Sequence, residues 1–182
     1  MLNYVFVYIE TTSLDPNKGE IIEISCLDIN GKILLDEKVS FDYQKAEKKA
    51  LEVNMFHKRA SAWDNSISQS EMAERVGKIF KKRNTVLVAH NVDFEKRWLE
   101  HHCGIKFYRT FCTKSFYYIF LENEIQSSKL SEFRLFLGLS SDNAHTSLKD
   151  ARDCLTLFNT FKNITIERLS EIKNSFYCHS AK

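Results

Sequence analysis

The stretch YVFVYIETTSL, residues 4–14, decides how the rest of the chain is read. Tyr4 to Ile9 is a short apolar run rich in β-formers, the pattern of a buried strand. It stops on Glu10, a carboxylate at the end of an apolar strand. Outward from there, Asp15-Pro16-Asn17-Lys18-Gly19 is a turn cluster. Glu20 to Ile29 carries Ile21, Ile22, Ile24 and Leu27 and reads as a second strand. Asn30-Gly31 is a two-residue hairpin signal, and Lys32 to Phe41 reads as a third strand. The chain therefore opens as an antiparallel meander.

Helical periodicity takes over next. Ala46 to Asn54 reads as a short helix, and Ser70 opens a longer one with Met72, Val76, Ile79 and Phe80 on one face. Thr85 to Ala89 is a buried strand and Val92 to His102 a helix, with Phe94, Trp98 and Leu99 at helical spacing. Ile105 to Thr110 reads as a last short strand. Ser115 to Leu121, Lys129 to Leu137 and Ser147 to Phe161 read as helices, with Gly138 as a C-cap. Ile164 to Phe176 reads as a terminal helix with Thr165 as its N-cap. A meander followed by alternating strands and helices gives an α/β fold, a mixed sheet covered by helices.

The 182 residues suit one domain, placed at 1–163, with a C-terminal helix or tail at 164–182. At 43% hydrophobic, the chain can bury a sizeable core. The net charge of +2 is too small for a global field that gathers nucleic acid. The basic runs Lys45-Ala46-Glu47-Lys48-Lys49 and Lys81-Lys82-Arg83 read as solvated helix faces. Five cysteines, an odd number without a CxxC pair, suggest neither a disulfide framework nor a zinc ribbon. That usage points to a reducing, cytoplasmic setting. No signal core and no membrane-length apolar segment are read, so no membrane partner is expected.

Three polar stretches interrupt this framework. Glu10-Thr11-Thr12-Ser13-Leu14 ends the first strand. Ala89-His90-Asn91-Val92-Asp93-Phe94-Glu95 lies where a later strand breaks into a helix. Ala144-His145-Thr146-Ser147-Leu148-Lys149-Asp150 leads into the late helix. Each has an ordinary structural explanation: a strand-end carboxylate, a helix cap, and an acid favoured by the helix dipole. Their combination, in this order, resembles the three motifs of the DEDDh exonucleases. That superfamily includes ribonuclease T, exonuclease X and the proofreading subunit of bacterial DNA polymerase III. The resemblance covers residues 3 to 162 and extends to Cys112-Thr113-Lys114-Ser115 and KLSEFRLFLGL, residues 129–139.

The resemblance implies a ribonuclease H-like three-layer fold. Its mixed five-stranded sheet has three antiparallel strands, then parallel ones, flanked by helices. It implies a 3′–5′ exonuclease that hydrolyses phosphodiester bonds at the 3′ end of single-stranded DNA or RNA, in repair or replication. Two divalent cations, Mg²⁺ or Mn²⁺, are the implied cofactors, because attack on an anionic phosphodiester needs charge neutralisation. By resemblance, Glu10, Glu95 and Asp150 bind metal, and His145 deprotonates the attacking water. The same resemblance implies that Thr11, Thr12, Leu14, Asn54, His90, Asn91 and Phe94 contact the substrate. A homodimer or a polymerase or repair partner is left open.

Two positions depart from the family pattern. Glu95 stands where the family has Asp, which keeps the charge and adds a methylene. Tyr8 stands where the family places the metal-bridging Asp, two residues before Glu10 and on the same strand face. A phenol ionises near pH 10 and is a poor Mg²⁺ ligand. Tyr8 marks a degenerate enzyme that binds nucleic acid or a protein, a working variant with a substitute acid such as Asp93 or Asp153, or an introduced change. The retained Glu10, Glu95, His145 and Asp150 favour an enzyme, with weak activity that prefers Mn²⁺.

Overall fold

A computed structural model describes residues 2–142 and 145–162. Strand β1 (Asn3–Thr11) is the middle of a five-stranded sheet ordered β3-β2-β1-β4-β5. It pairs antiparallel with β2 (Ile21–Asp28), which pairs antiparallel with β3 (Ile33–Lys38). On its other side it pairs parallel with β4 (Thr85–Ala89), and β4 pairs parallel with β5 (Thr110–Cys112). The expected mixed sheet, a meander followed by parallel strands, is the one observed.

Alternation along β1 sorts its side chains between two layers. Val5, Val7 and Ile9 join Met72, Val76, Trp98 and Leu99 in one core, beneath α3 (Gln69–Phe80) and α4 (Val92–Cys103). Tyr4, Phe6 and Tyr8 turn to the opposite face. There Ala151, Cys154 and Phe158 of α6 (Ser147–Phe161) cover the sheet. A further cluster joins α6, through Leu157 and Phe161, to α5 (Leu130–Phe136) and to a π-helical segment, Tyr117–Leu121. Helix, sheet and helix form the three layers that the resemblance implies.

Several expected boundaries move. Ser68, not Ser70, caps α3, its side chain accepting from the Glu71 N–H. The β2–β3 connection is longer than two residues. Gly31 N–H donates to the Asp28 carbonyl with φ +80°, and Asp28 also accepts from Asn30 and Lys32. That is a type I turn closed by a left-handed glycine. The last strand lies at Thr110–Cys112 rather than Ile105–Thr110, because Ile105 and Phe107 pack their side chains into the α3/α4 core instead of pairing. Three short helical pieces carry no sequence signal: a 3₁₀ turn at Tyr43–Lys45, and, after α1 (Lys48–Val53), α2 (Phe56–Arg59) and a 3₁₀ turn at Ala60–Trp63. Gly138 does follow α5 in the left-handed conformation, at φ +64°. The expected terminal helix and the 164–182 tail lie outside the described residues. Among the described residues no helix is long and apolar enough to cross a membrane.

Candidate active site

Three strands, β1, β4 and β5, run in the same direction, so their C-terminal ends reach one edge of the sheet. Strand order turns back beside β1, and such a switch point leaves a crevice at the carboxyl ends. A cavity of about 380 Å³ lies at that edge. The end of β1 supplies the floor, with Glu10 and Thr11, and the residues after it, Ser13 and Leu14, rise to the rim. The β4–α4 junction supplies His90, Asn91, Phe94 and Glu95. Lys49, Val53 and Asn54 from around α1 form the third wall. A shift in the β1–β2 register between Glu10 and Thr11 marks an irregularity that re-aims the chain there.

The expected substrate contacts divide by environment. Leu14 is 78% exposed on the rim, and Phe94 is half-buried beside it. Asn91 sits at the N-cap position of α4, yet its side chain makes no capping bond. Asn54 is buried and donates from Nδ2 to the Thr11 carbonyl at 2.9 Å, which fixes the α1 wall to the floor. Thr12 does not line the cavity. Its Oγ1 accepts from the Glu20 N–H at 2.8 Å and closes the loop behind. His90 bonds Thr113 Oγ1 through Nδ1 at 3.1 Å and the Ser128 carbonyl through Nε2 at 2.9 Å. Burial holds its pKa down at about 4, so it is a neutral strut in the wall.

The acids are set more deeply. Glu10 is 8% exposed and Glu95 2%. Burial pushes the Glu95 pKa up to about 8, and its Oε2 is buried with no hydrogen-bond partner. Burial, then Asp150 and Glu23, hold Glu10 well above the carboxylate range. Tyr8 lies on the same strand face as Glu10. Its ring packs against the clusters of α5 and α6, and Asp150, Glu10 and Glu95 are its electrostatic neighbours. Burial and those three acids raise its hydroxyl well above the ordinary phenol range, so it is a neutral group among carboxylates. Asp150 and His145 are absent from the cavity lining. Asp150 is 1% exposed, whereas His145 is exposed on a turn with φ +64°. His145 is felt at Asp150, whose pKa burial raises while Arg134 and His145 oppose the rise.

Two charged networks around these acids escaped the sequence reading. Glu23 pairs in register with Glu10 and is 1% exposed. It accepts from the Ser147 N–H at 3.0 Å, the first residue of α6, and pairs with Lys38 at 2.9 Å and Arg59 at 3.1 Å. Arg59 also donates to the Asn54 carbonyl at 2.8 Å and the His145 carbonyl at 3.2 Å. One guanidinium thus ties the α1 wall, the sheet and the His145 turn together. The second network is centred on Arg134 of α5, 5% exposed. Its Nη2 donates to Asp150 and its Nε to Asp153 at 2.6 Å, while Lys149 also holds Asp153 at 2.6 Å. Asp153, one of the substitute acids considered for Tyr8, is already paired twice, and Asp93 is exposed on α4.

Residues 5–158 match the RNase T exonuclease family. The chain belongs to that family. It is 31% identical over 188 residues to the PolC-type DNA polymerase III of Thermotoga petrophila, covering 94% of this chain and 13% of the polymerase. The corresponding polymerase of Thermotoga maritima is 30% identical, with 93% and 13% covered. This chain thus spans about an eighth of the length of those curated relatives. Among solved structures, Escherichia coli exonuclease I in complex with a dT13 oligonucleotide superposes with a TM-score of 0.74 at 12% identity. That match covers 98% of this chain and 44% of the other. The zinc-bound form of the exonuclease I–single-stranded DNA complex gives 0.72 at 14% identity, covering 94% and 42%. The fold is therefore the exonuclease fold, and the RNase T exonuclease family is a family of nucleases.

A divalent cation, zinc, is bound in one of the exonuclease I structures that share this fold. The unpartnered Glu95 Oε2 is an oxygen that a cation or a proton would satisfy. The rest of the centre does not fit a pair of ions. Tyr8 brings a neutral phenol, and Arg134 already neutralises Asp150. Among the described residues, no three His, Cys, Asp or Glu side chains converge closely enough to hold a metal ion.

Proposed function

We propose that this RNase T exonuclease-family domain grips the 3′ end of single-stranded DNA or RNA in the cavity at the β1 edge. It hydrolyses the terminal phosphodiester slowly, in the 3′–5′ direction. The observation that carries this reading is the composition of the cavity. An exposed apolar rim, Leu14 and Val53 with Phe94, leads to a floor containing Glu10 and Glu95. A base and sugar stack against such a rim, and the phosphate then lies over the acids. Lys49 in the wall and the Asn91 side chain, which makes no capping bond, offer phosphate contacts. His145, beside Asp150, is the proposed proton acceptor for the attacking water.

Turnover is proposed to be low because the two-ion Mg²⁺ or Mn²⁺ arrangement implied by the motifs lacks its bridging acid at Tyr8. The solved exonuclease I complexes hold single-stranded DNA, and the polymerase relatives suggest a polymerase setting for this domain. A second reading, an end-binding module without turnover, is favoured by one observation, the Arg134–Asp150 pair.

The test uses 5′-labelled single-stranded DNA and RNA, with Mg²⁺ and then Mn²⁺, and measures binding and degradation separately. The expected result is a slow ladder shortening from the 3′ end, faster with Mn²⁺, faster again in Tyr8→Asp, and lost in Asp150→Ala. Binding without degradation in every variant would establish the second reading. Neither binding nor degradation would overturn both.

A further inference from the structure

Arg134 sits on α5 between Phe133 and Leu135 and turns inward, where a charged side chain is stable only if fully paired. The pairing goes beyond what is needed to tie α5 to α6. Asp153 alone would hold the guanidinium through Nε, and Asp153 has Lys149 as a second cation, bound through both carboxylate oxygens at 2.6 and 2.7 Å. The other arm of Arg134 reaches past Asp153 to Asp150, one helical turn earlier on the same face of α6. Asp150 is the carboxylate nearest in influence to Tyr8 and Glu10. Two cations, half-buried Lys149 and buried Arg134, thus balance two buried anions, Asp150 and Asp153, in a quartet that needs no other charge.

We propose that the Arg134 guanidinium is a tethered counter-ion standing where a divalent cation would meet Asp150, so that a cation enters the acidic centre only by displacing it. The proposal rests on the nuclease reading above and deepens it by naming what limits the metal. A guanidinium carries a single, permanent charge and a fixed planar fork, so it neutralises Asp150 without acting as a Lewis acid. Tyr8 works in the same direction, because it removes the carboxylate that would make a doubly charged ion the better occupant. When a cation does bind, Arg134 remains held by Asp153, so the displacement is a swing about Nε rather than an exit.

The experiment is a Mn²⁺ titration without nucleic acid, followed by electron paramagnetic resonance, on wild type, Arg134→Leu, Arg134→Lys and Asp150→Asn. Thermal melting of each protein is followed in EDTA and in Mn²⁺. Wild type is expected to bind Mn²⁺ weakly, and Arg134→Leu to bind it about ten- to a hundredfold more tightly, the scale on which neighbours of a metal site act. Arg134→Leu should melt early in EDTA and recover with Mn²⁺, while the wild-type melting temperature stays put. If Arg134→Leu does not fold, Arg134→Lys, which keeps the charge but loses the fork, should show a smaller gain in the same direction. Asp150→Asn should abolish the gain. Micromolar Mn²⁺ binding by wild type, left unchanged or weakened by substitution at Arg134, would overturn the proposal. So would an Arg134→Leu protein that Mn²⁺ does not stabilise. Because no nucleic acid is present, failure of the nuclease reading shows separately, as absent single-strand binding.

Discussion

Glu95 has a proton to lose. Burial raises its pKa from the ordinary 4.5 to about 8, so the folded chain keeps a neutral acid where the unfolded chain releases the proton. Between those two values folding takes up a proton, and stability falls as pH rises from about 4.5 through 8. Urea denaturation in EDTA should show the folded state weakening from pH 5 to pH 8, and Glu95→Gln should flatten that slope. A steeper slope in Glu95→Gln would place the titration elsewhere. Glu10, Glu95 and Asp150 could be picked out of the sequence because they stand at strand and helix ends in motif order. Arg134 and Glu23 could not. Each is an unremarked position inside a helix or strand, and its meaning comes from contacts with α6 that no local spacing announces. Glu23 also allows a direct stability measurement. Glu23→Ala strips Arg59 and Lys38 of a buried partner, and a loss of about 3 kcal/mol or more is expected in urea denaturation.

At the level of elements, the loop between β1 and β2 carries the rim of the cleft, and Gly19 closes it. A Cβ at Gly19 would lie 2.7 Å from the Ser13 Cβ and 2.9 Å from the Thr12 Oγ1. Gly19→Ala should therefore cost about 1–3 kcal/mol by overpacking. It should also weaken single-strand binding, because Ser13 and Leu14 must shift. Unchanged affinity, measured by fluorescence anisotropy with a labelled oligonucleotide, would detach that loop from the binding site. The strands and helices that hold the sheet were legible because period-2 and period-3.6 patterns follow directly from burial. Elements governed by something else were misread. The run from Ile105 to Phe107 looks like a strand by composition, yet its apolar side chains are used to fill the α3/α4 layer. The 3₁₀ turn at Ala60–Trp63 is fixed by Trp63, whose indole N–H donates to the Ile22 carbonyl at 2.9 Å, a contact 41 residues away in sequence.

For the molecule as a whole, a net charge of +2 over 182 residues leaves little long-range attraction for a polyanion. Affinity then comes from local contacts at the cleft rather than from released counter-ions. The logarithm of single-strand affinity should fall against the logarithm of salt with a slope of only about −1 to −2, corresponding to roughly two neutralised phosphates. A slope near −5 would mean that the basic runs at 45–49 and 81–83 also bind, against their reading as solvated faces.

The order of the sheet has one more consequence, for synthesis. The central strand is made well before its partners: its parallel neighbour starts at Thr85, and the helix over its Tyr4, Phe6 and Tyr8 face starts at Ser147. At cellular elongation rates that interval is on the order of ten seconds. During it, Val5 and Phe6 lack β4 beside them, Phe6 lacks α6 above it, and Val5, Val7 and Ile9 lack α3 and α4 over theirs. The nascent chain is most exposed to aggregation and to chaperone capture in that window, and nothing about its finished surface would reveal it.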